Sequence, residues 1–462
     1  MLPNVRITRR GLRVIMLASS AGLLMTAVFA GDVSSDFLQF VARDPGVRTG
    51  PAGAGGMLPG LNDIEQQVFG LGLDQFTEVQ SVQGTIPDTE VGLGPRFNLD
   101  SCAGCHAQPD VGGTSPAVNP QVDVANKELA TNVIPFFIEM NGPVREARFK
   151  HKPNGTPDGG VHALFTITGR TDAPGCAILQ PDFQAAAASQ NLIFRIPTPV
   201  FGAGLIESID DDTILTNMRA NSLLKRVLGI QGRPNTSGND GTITRFGWKA
   251  QNKSLELFSA EAYNVEQGVT NDVFQQERDE EPACRFNTTP ENTAHFDATN
   301  PLEAPSDVVK FAVFMRFLAP ATPVPANPST VLGRTFFNAV GCALCHTPTL
   351  HTGKVTNGAL RSKDANLYSD LLLHNMGPGL ADGISQGDAR GDEFRTAPLW
   401  GLGQRIFFLH DGRTRDLRAA IQAHASPGDL RTPPSEANQV IAQFNQLPEF
   451  YKQSILNFLR GL

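Results

Sequence analysis

Residues 101–109 read SCAGCHAQP, and 240 positions further on residues 341–349 read GCALCHTPT. Each stretch carries Cys-x-x-Cys-His: Cys102, Cys105 and His106 in the first, Cys342, Cys345 and His346 in the second. Two thiols three residues apart can form thioethers to the two vinyl groups of one porphyrin, and the histidine that follows is then directed at the iron. With 6 Cys and 9 His in 462 residues, chance supplies on the order of 0.002 such matches. The competing reading is a zinc site built from two Cys-x-x-Cys knuckles. Such knuckles usually stand about 15–20 residues apart, and zinc does not call for a histidine after each pair. The motifs therefore predict two covalently bound c-type haems, with His106 and His346 as proximal iron ligands.

Attachment of this kind takes place outside the cytoplasm, so the reading requires export. Arg6, Arg9, Arg10 and Arg13 form a positive segment, residues 14–30 an apolar one, and Val28-Phe29-Ala30 a cleavage site of small residues. Residues 1–30 are predicted to be a signal peptide and the periplasm the destination. A retained anchor is the alternative, although 17 apolar residues fall short of the ~20 that span a bilayer. No other segment is apolar and long enough to insert in a membrane. Loss of four arginines and no acids takes the formal charge from −8 to −12. That disfavours nucleic acid or anionic lipid as partner and favours a basic one. Cys176 and Cys284 lie outside the motifs, and in an oxidising compartment they are expected to pair.

Punctuation divides the chain. LAPATPVPANPS, 318–329, holds four prolines and reads as a linker, 319–328. Before it, SDVVKFAVFMRFL has apolar residues at helical spacing behind Ser306. After it, a helix runs directly into the second haem motif, and LPEFYKQSILNFLRGL closes the chain as another amphipathic helix. LNDIEQQVFGLGL, 61–73, is the corresponding leading helix of the first half. The halves also share FRIPTPVFGAG, 194–204, and FRTAPLWGLG, 394–403. The fold predicted is mainly α, with two cytochrome c-like domains, 61–318 and 329–462. The first carries a long irregular insert, and 31–60 is expected to be a mobile N-terminal segment.

With these segments and LLLHNMGPGLADG…FFLHDGRTRDLRAAIQAHA in place, the chain resembles the dihaem oxidoreductases, relatives of the bacterial dihaem cytochrome c peroxidases. The resemblance covers most of the chain from about residue 60. It implies that the N-terminal haem meets peroxide, that the C-terminal haem transfers electrons received from a periplasmic donor protein, and that calcium can sit between the domains. It also implies a sixth ligand for the second haem fourteen residues after His410, which is His424 on a helix over about 415–425. Met376 is the rival, a thioether being the other common choice. An acid–base pair ten residues apart carries over to Gln267 and Glu277, with Glu266 as fallback; a carboxylate there could take and return a peroxide proton. Trp248 would relay electrons between the haems, Trp400 being the only other indole. His162 and His151 are candidates for a sixth ligand of the first haem, but peroxide chemistry asks for an open position. The function implied is a periplasmic peroxidase-like enzyme. The alternative is a dihaem electron-transfer cytochrome without small-molecule catalysis.

Overall fold

The computed structural model describes residues 40–277 and 281–462; the expected signal peptide lies outside them. The chain is mostly helical, with a few small sheets of two or three strands. The helices that set up the sites are α1 (Asp63–Thr77), α2 (Leu255–Gln267), α3 (Asp307–Phe317), α4 (Pro328–Ala339), α5 (Leu417–Gln422) and α6 (Glu449–Leu459). Both leading helices begin at asparagine caps. Asn62 accepts from the Glu65 amide while the Glu65 carboxylate takes the Asn62 N–H, and Asn327 does the same with Thr330 ahead of Pro328. These bonds satisfy donors that a helix start leaves open.

One helix crossing is made twice. In α1, Gly72 sits against the Lys310 carbonyl and Phe314 of α3, so close that a Cβ would come within 2.6 Å of that oxygen. In α4, Gly333 sits in the same way against the Ser454 carbonyl and Phe458 of α6, where a Cβ would overlap the backbone. Four residues after each glycine comes a phenylalanine facing the proximal histidine: Phe76 to His106 at 5.9 Å between ring centres, and Phe337 to His346 at 6.3 Å. The glycine lets the helices touch, and the touching fixes the aromatic beside the haem motif. Gly204 and Gly403 repeat this once more, lying under the ends of α3 and α6 against the carbonyls of Arg316 and Arg460.

Between the first haem motif and α2 the chain is built of short elements. β1 (Glu146–Phe149) is the middle strand of an antiparallel sheet with β2 (Val161–His162) and β3 (Leu192–Arg195), and Glu146 is the register partner of Arg195. Farther on, β4 (Leu373–Asn375) pairs antiparallel with β5 (Glu393–Arg395). Each Phe-Arg pair of the internal repeat thus ends a short strand. Cys176 and Cys284 form a disulfide spanning 108 residues, buried among Phe97, Phe165 and Ile178.

Residues 40–60, the described part of the segment expected to be mobile, are hydrogen-bonded to the C-terminal third of the chain. Asp44 receives the buried Arg460 guanidinium at 2.6 Å, the Ala42 amide donates to Glu449 at 2.8 Å, and Arg48 N bonds Gly403 O at 2.8 Å. Farther along, Gly53 and Gly56 accept from Thr322 and Ala319 of the proline-rich linker. The partners that pin this stretch lie in the last third of the sequence.

Candidate haem sites

Each Cys-x-x-Cys-His opens into its own cavity. The first holds about 1140 Å³ and is walled by Cys102, Cys105, His106, Phe311, Met315 and the inner face of α2. The second holds about 1420 Å³, walled by Cys342, Cys345, His346, Met376, His410 and His424. Because the two cysteine pairs face different cavities, they do not join into one four-cysteine zinc site. The one group of possible metal ligands among the described residues is Cys345, Asp370 and His374. There, His374 is already clamped between Asp370 at 3.0 Å and Glu436 at 2.8 Å.

The histidines are prepared as ligands. His106 Nδ1 lies 2.9 Å from Gly113 O, His346 Nδ1 3.0 Å from Tyr368 O, and His424 Nδ1 2.9 Å from Ala420 O. A carbonyl acceptor at Nδ1 holds the proton there and leaves the Nε2 lone pair for a metal. Burial lowers His106 and His346 to about 4 and lowers His424 as well, so all three rings are neutral at pH 7. The rings of His346 and His424 lie 6.5 Å apart between centres. Both line the second cavity, so both could serve a single iron there. Burial also pushes Cys102 and Cys342 up to about 12, so these are not the depressed-pKa thiols of disulfide exchange. Paired thiols, a neutral proximal imidazole and an apolar wall fit a covalent haem in each cavity.

His424 stands two residues beyond α5, which is shorter than the helix expected over 415–425. Met376 lines the same cavity. His162 and His151 do not reach the first one: His162 stacks on Phe149 at 3.8 Å and bonds Asp158, and His151 is exposed.

The acid–base region differs from the spacing argument. Glu277 is not on the cavity wall, whereas Glu266 and Gln267, the last two residues of α2, are. Ser254 caps α2 at one end and Gly268, at φ +75°, closes it at the other. Glu266 O accepts from Asn98 N at 2.7 Å, and Gln267 O from Gly94 N at 2.9 Å. These bonds stitch the helix end to the strand leading into Cys102. The Gln267 amide oxygen, turned toward the backbone, accepts from Ser101 N and Cys102 N at 3.1 and 3.2 Å. It caps the haem-attachment turn. Glu266 accepts from Asn98 Nδ2 at 2.7 Å, and burial, then the nearby Glu146 carboxylate, raise it to about 8. Glu146 is held ionised against burial by Arg148 at 2.5 Å. One signal would have put Glu266, the fallback, ahead of Glu277: it continues the stripe Leu255, Ser259, Ala262 at helical spacing, a carboxyl on the face turned inward.

Trp248 lines both cavities. Its Nε1 donates to Ile196 O at 2.9 Å, and its ring meets His410 edge-on at 6.3 Å. Trp400 is core, packed on Gly202.

Fold and sites define a protein built to carry two haems. Residues 157–462 match the family model described as "Di-haem oxidoreductase, putative peroxidase", and the chain belongs to that family. No curated protein matches it. Among solved structures it is similar to the dihaem peroxidase BthA of Burkholderia thailandensis, at 12% identity over 68% of this chain and 94% of that one, TM-score 0.28. A MauG-like protein associated with microbial copper homeostasis gives 15% identity over 58% and 90%, TM-score 0.31. Hydrazine synthase of Kuenenia stuttgartiensis gives 17% identity and a TM-score of 0.23 over 35% of this chain, which spans 56% of that chain.

Proposed function

We propose that this chain is an exported, periplasmic dihaem c-type oxidoreductase of peroxidase type, built from two cytochrome c-like units with an insert in the first. A haem held by Cys102, Cys105 and His106 would supply the iron at which peroxide is reduced. A second, held by Cys342, Cys345, His346 and His424, would pass on electrons from a donor protein. What supports this reading above all is Trp248, an indole shared by the walls of two cavities that each contain a complete attachment motif.

The residues around the first cavity divide the work. Glu266 keeps its proton near neutral pH because it is buried and the Glu146 carboxylate is ionised beside it, so it can donate to the departing oxygen and recover a proton afterwards. Gln267 holds the attachment turn in place, and Trp248 bridges to the second cavity. Met376 remains the rival ligand of the second haem. Calcium is not part of the proposal: the oxygens gathered between the halves, Arg390 O, Glu393 O and Asp382 Oδ1, surround the Lys249 ammonium at 2.8, 2.8 and 3.2 Å. No described helix is long and apolar enough to cross a membrane.

The carrier reading has one observation in its favour, for Met315 also lines the first cavity and a thioether there would close the iron. The deciding experiment is a mass spectrum of the holoprotein followed by low-temperature EPR. Two haems with one high-spin iron, and peroxide consumption, support the enzyme. Two low-spin irons inert to peroxide even when half-reduced would leave the carrier.

A further inference from the structure

The two Phe-Arg repeats use their arginines differently. Arg195 is neutralised by protein: its guanidinium bonds Asp382 at 2.6 Å and Gln386 at 2.5 Å. Arg395, its counterpart, makes no ion pair among the described residues. Its Nε donates to Gly247 O at 3.0 Å, and the remaining contact is a long one to Thr396 O. Ten residues on, Arg405 makes no side-chain hydrogen bond and no ion pair among the described residues. Arg395 and Arg405 are 8% and 6% exposed, and both line the second cavity.

Burial alone lowers both guanidiniums, to about 10, with no opposing contribution from any acid. Glu436, the carboxylate on the same wall, is engaged with His374. Guanidinium is not deprotonated in proteins, and a buried charge without a partner is strongly unfavourable. Elsewhere the fold answers such charges, as at Arg170 with Asp172 and Arg460 with Asp44. Two unanswered cations in one apolar cavity call for two anions from a ligand.

We propose that Arg395 and Arg405 form a carboxylate clamp that takes the two propionates of the haem attached at Cys342 and Cys345. The inference rests on the dihaem reading above and deepens it. Arginine suits the task because its planar fork matches a carboxylate bidentately. In the first cavity Arg148 and Arg195 are already paired with Glu146 and Asp382, and Arg145 donates to the backbone carbonyls of Phe137 and Asp411. A propionate neutralised by a fixed guanidinium stays ionised across the neutral range and leaves the iron's potential flat with pH.

The test is a potentiometric titration of each haem in holoprotein carrying Arg395→Gln, Arg405→Gln or both, over a pH series. Loss of a guanidinium leaves a bare carboxylate near the iron and favours the ferric state. The double variant is expected to shift the ferric/ferrous ratio of the second haem at least tenfold toward ferric, 59 mV for a one-electron couple. Its potential should also become pH-dependent at about pH 5–8, where a buried carboxyl titrates, while the first haem stays unmoved. Arg395→Lys and Arg405→Lys, which keep the positive charge, should retain the wild-type potential. Failure of the Gln variants to keep the second haem, with Lys restoring it, supports the clamp equally. Unchanged potential and pH slope in a fully loaded double variant overturn it, as does loss of the haem in Lys and Gln variants alike. A wild-type mass spectrum lacking haem at Cys342 and Cys345 would remove the dihaem reading itself.

Discussion

Trp400 lies over Gly202, with two ring carbons 2.6 and 2.7 Å from where a Cβ on that glycine would stand. The reverse contact is made as well, for Gly401 faces the ring of Phe201 at 3.8 Å. Phe201-Gly202 and Trp400-Gly401 are the same pair in the two repeated segments, so each copy closes on the other. Gly202 and Gly401 both adopt positive φ, +64° and +73°.

Gly202→Ala is therefore expected to cost about 2–4 kcal/mol in urea unfolding of the holoprotein, combining overpacking with a left-handed backbone. Gly229 has φ +75° and nothing within 4 Å of its would-be Cβ, so Gly229→Ala should lose only the backbone part, about 1–2 kcal/mol. Equal losses at the two positions would show that the indole contact adds nothing.

The helices that frame the sites were legible because each announces itself locally. Expected at 61–73 and 306–318, the first pair runs Asp63–Thr77 and Asp307–Phe317, set by caps and apolar spacing. The linker and the haem motifs were equally local. Glu277 came first and Glu266 second in the sequence reading because a spacing taken from relatives was carried across the insert, whereas in the structure Glu266 is the one on the cavity wall. The docking of 40–60 and the unpaired state of Arg395 and Arg405 depend on which residues the fold brings near from hundreds of positions away. No window of sequence contains that information.

Glu266→Gln keeps size and hydrogen bonding but cannot release a proton. Peroxide consumption should fall at least about tenfold, against the ~10²–10⁴ that acid–base help is worth, while Glu277→Gln runs at the wild-type rate. Wild-type activity that depends on protonated Glu266 should decline as pH rises through about 8. An unchanged rate in Glu266→Gln would remove this residue from the chemistry.

The same carboxyl carries a stability signature. Folded, Glu266 holds its proton up to about 8, against an ordinary value of 4.5. Between those values the unfolded chain sheds a proton that the folded chain keeps, so this residue's contribution to stability falls as pH rises. Relative to wild type, Glu266→Gln should gain stability from pH 4.5 toward 8. A difference that is flat with pH would mean the group is ionised in the fold.

His424→Met should leave the second haem low-spin and raise its potential, since His/Met ligation favours the ferrous state. The near-infrared band of a His/Met haem should appear. A spectrum and potential untouched by the change would transfer the ligand role to Met376.

Cys176→Ser with Cys284→Ser opens a loop of 108 residues. A loss of about 2–5 kcal/mol is expected, with both haems retained because the bridge lies outside both cavity walls. Loss of the first haem in this variant would place the bridge within the haem-binding framework.

The bond between Asp44 and Arg460 joins residues 416 positions apart, and that separation puts the steps of assembly in an order. A chain is made from its N-terminus, and its domains fold largely as they appear. Residues 40–48 are among the first to be free, yet the groups that hold them, Gly403, Glu449 and Arg460, are among the last. This stretch must wait, unpaired, while everything between is synthesised and packed. Its docking is the latch that drops when the rest is finished, and a half-made chain cannot close it.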